Sequence, residues 1–591
     1  MSAQEPTSPP DPLNEAAVTQ SQMDAQITEQ DAKNAASRRN RALARSTLIV
    51  MVAFGFSKVL SLVQTVIIAG TFGVSAEWDA FVTANRIPEL IFTLIAGGAL
   101  AHAFIPIFSS YLARDDRDGA WSLASHVINF IFTVTATVSA ITYVTSPWLV
   151  QNVVAPGFDA AATAQTVELM RILLLSTMIF SVSGIVMGIL QSHNHFLLPA
   201  IAPIMFDFGL LFGIIFLLGP FGIHGIAWGA VLGAGLHLLI QVPGLIRFRA
   251  TWKMELGLFD REMWRVIRLM LPRVGGLGVF MVNFLIMNNI ASRLGTGSVS
   301  ALDWGWRLMQ IPQTLIGTAM GTVIFPTLAA FSELGDEDGK RDYMAGALRF
   351  VLIASIPSAI GLIFVGRPLI SLLERGAFDA SASAFVYSTL QFFALGLIVH
   401  CALEVIARSF YADKDTLTPL FAALGGAAIN LVGSFVFSNV LAAESFTDMR
   451  RMLALGNFGL MPELDFVQGT GFVGGLALAN SLGVMFEVGF LLVILRRRWH
   501  GINESALART VIQTTAASLI MALTIVLVNT GWQMLVDSTG LMFTVIQISL
   551  EVGIGGTAFF IAAWLMGMEE LRALFNMIFK RDKSELKEVI A

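Results

Sequence analysis

Residues 80–110 read AFVTANRIPELIFTLIAGGALAHAFIPIFSS, and residues 299–331 echo them with VSALDWGWRLMQIPQTLIGTAMGTVIFPTLAAF. Each stretch is almost entirely apolar, carries one arginine before a proline, and runs on to a second proline: Arg86, Pro88 and Pro106 in the first, and Arg307, Pro312 and Pro326 in the second. A charge at bilayer depth costs several kcal/mol, so an arginine in both copies predicts a functional site.

Composition places the whole chain in a membrane. Its 591 residues are 55% hydrophobic and only 13% charged, whereas soluble chains carry about 25% charged residues. Apolar runs of about 20 residues, the length that crosses a bilayer, recur along the chain. The fold class is therefore predicted as an all-α polytopic membrane protein of about 14 transmembrane helices. The predicted spans are 47–72, 80–110, 122–148, 165–192, 197–219, 223–246, 266–292, 299–331, 345–366, 382–411, 417–441, 468–495, 506–530 and 540–567.

The echo extends into a duplication. The turn that ends at Pro199 matches the turn that ends at Pro419. Later in the chain the offset between matching residues grows by 30, and we place the insertion responsible at 442–466. Spans one to six then correspond to spans seven to twelve in parallel orientation, a construction that favours a transporter with its site between the halves. The predicted division is a disordered cytoplasmic tail at 1–45, an N-lobe at 46–250, a C-lobe at 251–500, a helix pair at 501–568 and a cytoplasmic tail at 569–591.

Basic residues predict the orientation. Lys and Arg concentrate in alternate loops, with six between Arg247 and Arg268 and few on the other side, at Arg293, Arg367, Arg375, Arg450 and Arg451. Such clusters stay cytoplasmic. Both termini are therefore expected in the cytoplasm.

Four cations lie at predicted membrane depth in the matching spans one, two, seven and eight: Lys58, Arg86, Arg273 and Arg307. Converging on one cavity, they would bind a phosphate or carboxylate. The alternative is that each pairs with an acid such as Glu89 or Asp303 and only joins helices.

Several other positions are candidates for movement or coupling. Prolines and small residues allow bending or close helix approach, so Pro88, Pro312, Gly97 and Gly98 are candidate hinges or gates. Asp207 has no partner in its own helix and is a candidate for binding a coupling ion or proton. Two further acids are spaced to pair along one helix face, Glu168 with Arg171 and Glu404 with Arg408.

The sequence predicts neither an enzyme nor a cofactor or metal site. A glycine motif at Gly469 opens a membrane helix and follows no strand, which is the wrong context for a dinucleotide site. His193 and His195 lack further ligands nearby. With no phosphate loop for ATP, uphill work would draw on ion gradients, membrane potential or the substrate.

Particular motifs resemble the MurJ (MviN) family of lipid II flippases, in the multidrug/oligosaccharidyl-lipid/polysaccharide exporter superfamily. They include Asp79-Ala80-Phe81, Arg86-Ile87-Pro88, Ala103-Phe104-Ile105-Pro106, Ala155-Pro156-Gly157-Phe158, Gly297-Ser298-Val299-Ser300 and Gly321-Thr322-Val323-Ile324-Phe325-Pro326. The resemblance implies a two-lobed fourteen-helix fold, alternating access, and cavity cations that hold the pyrophosphate of an undecaprenyl-linked peptidoglycan precursor. It further implies that 501–568 forms a groove for the lipid tail. The expected location is the bacterial cytoplasmic membrane, and the cell-wall synthesis machinery is an expected partner.

The chain departs from the family pattern at several cavity positions. Lys58 replaces an arginine, Gln64-Thr65 stand where the family has Arg-Asp, and Phe92 replaces another arginine. Arg273 is a candidate compensating cation. Three alternatives therefore stay open: an exporter of another polyprenyl-linked glycan or amphiphile, a non-transporting envelope scaffold, and a polytopic glycosyltransferase with acids in the 442–466 loop.

Overall fold

The structure is a computed structural model that describes residues 56–95, 98–443, 445, 471–536, 540–568 and 570. Within these ranges it does not describe the side chains of residues 98–102, 271–273 and 276. The predicted tail at 1–45 lies outside the described residues, as does nearly all of the 442–466 insertion and of the 569–591 tail.

Helices account for nearly all of the described chain. In order they are α1 Phe56–Phe72, α2 Ala76–Ile95, α3 Gly98–Ala113, α4 Arg117–Val154, α5 Ala160–Ser192, α6 Leu197–Phe221, α7 His224–Arg247, α8 Arg261–Ser292, α9 Ser298–Leu334, α10 Glu337–Ser371, α11 Ala380–Ala412, α12 Leu417–Val440, α13 Gly474–Arg498, α14 Glu504–Leu535 and α15 Leu541–Leu565. The all-helical membrane fold predicted from composition is confirmed.

Eleven of the described helices are long and apolar enough to cross a membrane, namely α4 to α7 and α9 to α15. Shorter apolar helices lie within the three remaining predicted spans, at Phe56–Phe72, Ala103–Ala113 and Leu277–Ser292. The count of fourteen transmembrane helices therefore stays a prediction.

The duplication recurs in the backbone. Asp159 caps α5 by accepting a hydrogen bond from the N–H of Ala162, and Asp379 caps α11 by accepting one from the N–H of Ala382. Both the aspartates and the alanines are related by the 220-residue offset. Asn194 and Lys414, which share that offset, both adopt a left-handed conformation with φ of 56° and 62°. Local turn chemistry is thus repeated even where the residue types differ.

Helix α8 joins the two halves. Its first turns pack Met263, Val266 and Met270 against apolar side chains of α3 and α4. Farther along, Asn283 accepts a hydrogen bond of 2.7 Å from the Asn430 amide of α12. Because one helix contacts both halves, its position depends on their relative arrangement. The lobe boundaries at 46–250 and 251–500 stay a prediction.

Two glycines let α9 approach α11 closely. A Cβ at Gly317 would lie 2.8 Å from the Cα of Cys401, and one at Gly305 would lie 2.2 Å from the hydroxyl of Thr389. Small residues permit this kind of close backbone packing between membrane helices. The path of α9 is therefore fixed against the interior of the second half.

We expect Gly317→Leu to lower the thermal midpoint of the purified protein, because the added side chain would force α9 away from α11. Overpacking of this kind costs about 1–3 kcal/mol. Gly361→Leu on α10 is the matched control, since a Cβ there meets nothing within 4 Å. Equal midpoints for the two variants would show that the α9–α11 contact does not limit stability.

Candidate functional site

A buried aspartate of α2 caps the start of α9. The carboxylate of Asp79 accepts hydrogen bonds from the backbone N–H groups of Gly297 and Ser300, both at 2.6 Å, and from the Ser300 hydroxyl at 2.5 Å. Gly297 supplies its N–H from a left-handed backbone with φ of 86°, which glycine adopts without strain. An anion at a helix N-terminus is favourable, so this contact joins the first half to the second.

Aromatic packing closes the same end of the molecule. The rings of Trp78 and Trp304 stack with centroids 5.6 Å apart, and both side chains are buried. The Trp304 indole also donates to the carbonyl of Gly73 at 3.2 Å. The two halves are therefore in tight contact where α2 and α9 begin.

Below this contact, one acid holds two arginines. Asp303 of α9 lies 2.6 Å from Nε of Arg307, one turn along the same helix, through its Oδ2. Its Oδ1 lies 3.7 Å from Nη2 of Arg86, which belongs to the other half. The Asp303 side chain is only 7% exposed, whereas that of Arg307 is 51% exposed.

Arg86 is also positioned by groups other than the acid. Its Nε donates to Oδ1 of Asn288 at 3.5 Å, and its guanidinium lies 5.8 Å from the ring centre of Phe284. Asn288 presents its oxygen because its amide nitrogen donates to Thr83 and to the carbonyl of Val154. Arg86 therefore has supports on α8 that do not depend on Asp303.

Acids balance the arginines at this point of the structure. Glu89 of α2 adds a weaker electrostatic attraction to Arg307. Of the two acids that the sequence offered as pairing partners, Asp303 contacts both arginines, whereas Glu89 acts on Arg307 through this weaker attraction. We define Arg86, Glu89, Asp303 and Arg307 as the arginine cluster, and its formal charge sums to zero. The cluster holds no surplus cation for an incoming anion.

Lys58 and Asp207 form a separate group. The Ser57 hydroxyl of α1 donates to Oδ2 of Asp207 on α6 at 2.5 Å, and the Gln64 amide donates to the Asp207 carbonyl at 2.6 Å. Lys58 is exposed and attracts the same carboxylate. The described contacts do not connect this lysine to the arginine cluster. Asp207, which lacked a partner in sequence, therefore finds its partners on α1.

The other predicted site positions have mixed outcomes. Arg273 belongs to α8 by its backbone, but its side chain lies outside the described residues. Pro312 lies two residues before a π-helical turn at Thr314–Thr318, a distortion that often marks functional positions. Pro88 lies inside α2, and its carbonyl accepts from the Thr177 hydroxyl at 3.3 Å. Gly97 is outside the described residues, while Gly98 begins α3.

One of the two predicted helix-face pairs is correct. Glu404 and Arg408 lie 3.3 Å apart on α11. The pairing of Glu168 with Arg171 is wrong, because Glu168 instead contacts His224 at 3.0 Å. Arg171 donates to the Tyr143 carbonyl and the Ser146 hydroxyl on α4. Neighbouring helices offered both residues better partners than their own helix did.

Sequence reasoning missed the Asp79 cap and the Asn288 support. In the sequence, Asp79 stands out only as part of a motif, although an acid in the first turn of α2 and a glycine before α9 are both visible there. Asn288 had no such signal, because its importance depends on a contact with a residue 202 positions away.

Sequence comparison identifies relatives of the chain. The family described as "Lipid II flippase MurJ" matches residues 68–449. A lipid II flippase MurJ from Burkholderia cenocepacia is 29% identical over 414 residues, covering 68% of this chain and 80% of the relative. A probable lipid II flippase MurJ from Rhizobium tropici is 27% identical over 520 residues, covering 86% of this chain and 92% of the relative.

Solved structures with the same fold include a lipid II flippase MurJ in an inward closed conformation, with a TM-score of 0.69 and 24% identity over 88% of this chain and 98% of that one. An inward-facing MATE family multidrug resistance transporter of the MOP superfamily matches with a TM-score of 0.61 and 15% identity, over 77% of this chain and 96% of that one. The repeated helices and the match across 68–449 lead to one conclusion: the chain belongs to the MurJ family of lipid II flippases.

Proposed function

We propose that this chain is a flippase that moves lipid II, the undecaprenyl-pyrophosphate-linked peptidoglycan precursor, across the bacterial cytoplasmic membrane by alternating access. The observation that carries the proposal is the meeting of Arg86 and Arg307, from opposite halves, at one buried acid. Arginine is suited to phosphate because its planar fork donates two parallel hydrogen bonds. A pyrophosphate held there would contact both halves at once.

Alternating access requires the contact between α2 and α9 to open and close. In this structure the halves meet where those helices begin. Arg86 and Arg307 each lie seven residues, or about 10 Å of helix, farther along from the contact between Asp79 and Ser300. With both termini in the cytoplasm, that closed end faces the outer side of the membrane, and the site takes up substrate from the cytoplasm. The π-turn after Pro312 supports a hinge in α9.

The proposed substrate-binding residues are Lys58, Arg86, Arg273 and Arg307, with Pro88, Pro312, Gly97 and Gly98 as hinges. Asp207 is the proposed coupling residue, supported by its position beside Lys58 and its bond from Ser57. A carboxylate at membrane depth can carry a proton or bind a cation as its surroundings change.

The last two helices are proposed to hold the lipid tail. Helices α14 and α15 stand outside the duplication and pack on α10 through Met521, Phe559 and Ala563. On α14, Leu519, Leu523 and Leu527 are each about 60% exposed and recur every four residues, so they form one apolar stripe. Such a stripe suits a polyprenyl chain. We further propose that components of the cell-wall synthesis machinery are partners.

An exporter of a different polyprenyl-linked glycan is a second candidate. Phe92 stands where the family pattern has an arginine, and its ring lies 5.6 Å from that of Phe180 in an apolar contact. Gln64 is buried, and its amide donates a hydrogen bond to the Asp207 carbonyl of α6. Both positions therefore contribute packing in place of cationic groups, which favours a substrate whose headgroup needs fewer of them.

We expect Arg307→Ala and Lys58→Ala each to reduce lipid II translocation in proteoliposomes by at least about thirtyfold, because each removes a charge that is proposed to bind the phosphates. Arg408→Gln is the matched control, since that arginine also lies in a membrane helix but pairs within α11. Full activity in both alanine variants, with correct insertion verified, would exclude the proposed binding residues.

Complementation separates the candidate functions. Cells depleted of their own lipid II flippase should survive when they express this chain, because only transport of that precursor restores wall growth. A scaffold or an exporter of another glycan should fail, even when the protein reaches the membrane in normal amounts. Failure by a well-expressed wild-type chain would therefore exclude lipid II as its substrate.

A further inference from the structure

We propose that Asp303 is an exchangeable internal counter-ion, which holds the arginines in the empty protein and gives way to the phosphates of the substrate. The inference rests on the proposed function, because it specifies how that site is regulated. It follows from the geometry of the arginine cluster: Asp303 is the acid that contacts both arginines, so a phosphate that binds both of them must take its place.

The two oxygens of Asp303 are used unequally. Oδ2 makes a short hydrogen bond of 2.6 Å to Arg307, on the same helix, and a pair at this spacing stays together when α9 moves. Oδ1 is 3.7 Å from Arg86, beyond hydrogen-bond distance, and this contact crosses between the halves. The weaker, inter-half contact is therefore the one that a phosphate replaces first.

Arg86 stays in position when this exchange occurs. Asn288 and Phe284 hold its guanidinium from α8, independently of the acid. Arg307 is half exposed, so an incoming anion can reach it without rearrangement. Arg86 is thus preorganised and Arg307 is accessible, and preorganisation reduces the cost of binding.

A tethered acid also favours release. Because Asp303 is attached to α9, it competes with the bound phosphate at a high effective concentration. Competition weakens equilibrium binding and accelerates departure, which a transporter requires after each translocation. Asp303 thus lowers the affinity for the phosphates and raises the rate at which the substrate is released.

A purely structural role for Asp303 makes the opposite prediction. If the acid only oriented Arg307, its removal would leave the guanidinium mobile and would weaken anion binding. The sign of the change in affinity therefore distinguishes a competing acid from an orienting one.

The test measures binding of inorganic pyrophosphate to the full chain in zwitterionic nanodiscs by isothermal titration calorimetry. We expect Asp303→Asn, a near-isosteric change, to tighten binding about tenfold, a typical size for coupling between linked sites. Asp303→Glu should restore wild-type affinity because it restores the charge. Glu404→Gln is the matched control, an acid paired with an arginine on α11, and should bind as the wild type does.

Asp303→Ser is a second neutral variant, for the case in which Asp303→Asn does not fold, and it is also expected to bind pyrophosphate more tightly than the wild type. Unchanged or weaker binding by the folded neutral variants would overturn the inference, as would the absence of pyrophosphate binding in every variant. The function is tested separately: if Asp303→Asn binds more tightly while the wild type fails to move lipid II, the inference stands and the proposed substrate is wrong.

Discussion

Charges at bilayer depth must be paired, and in this chain Asp303 provides the pairing for two arginines from opposite halves. An isolated arginine there costs several kcal/mol. Removing one member of a buried pair is costly because the other charge is left uncompensated. The contact between the halves is therefore electrostatic at this depth, while nearer the start of α9 it depends on the Asp79 cap and on the Trp78–Trp304 stack.

The site is asymmetric although the scaffold is duplicated. At the 220-residue offset, Thr83 corresponds to Asp303 and Trp306 corresponds to Arg86, so each half retains only part of the cluster. The capping aspartates of α5 and α11, by contrast, are identical in both halves. Helix ends need the same hydrogen bonds in each copy, whereas a binding site between two copies needs complementary groups. The ion pair therefore joins residues that are not equivalent in the two halves.

The fold could be predicted from the sequence because it depends on the lengths of apolar runs and on a repeat, and both are properties of the linear chain. Arg86 and Arg307 could be singled out because charge is rare in such spans. Asp303 could be named as a candidate partner, but its contact with both arginines could not be predicted, since it lies 217 positions from Arg86 and Glu89 was an equal candidate. Glu168 shows the same limit: spacing favoured Arg171, but a neighbouring helix presented His224 at 3.0 Å.

In the proposed mechanism, translocation requires α2 and α9 to separate where they begin. A disulfide between Ser75→Cys and Ser300→Cys tests this directly, because the Ser300 hydroxyl lies 3.3 Å from the Ser75 carbonyl oxygen and the single native cysteine, Cys401, is buried. The oxidised double variant in proteoliposomes should not translocate lipid II, and reduction should restore the rate of the single variants. Equal translocation before and after reduction, with the disulfide verified, would contradict alternating access through this contact.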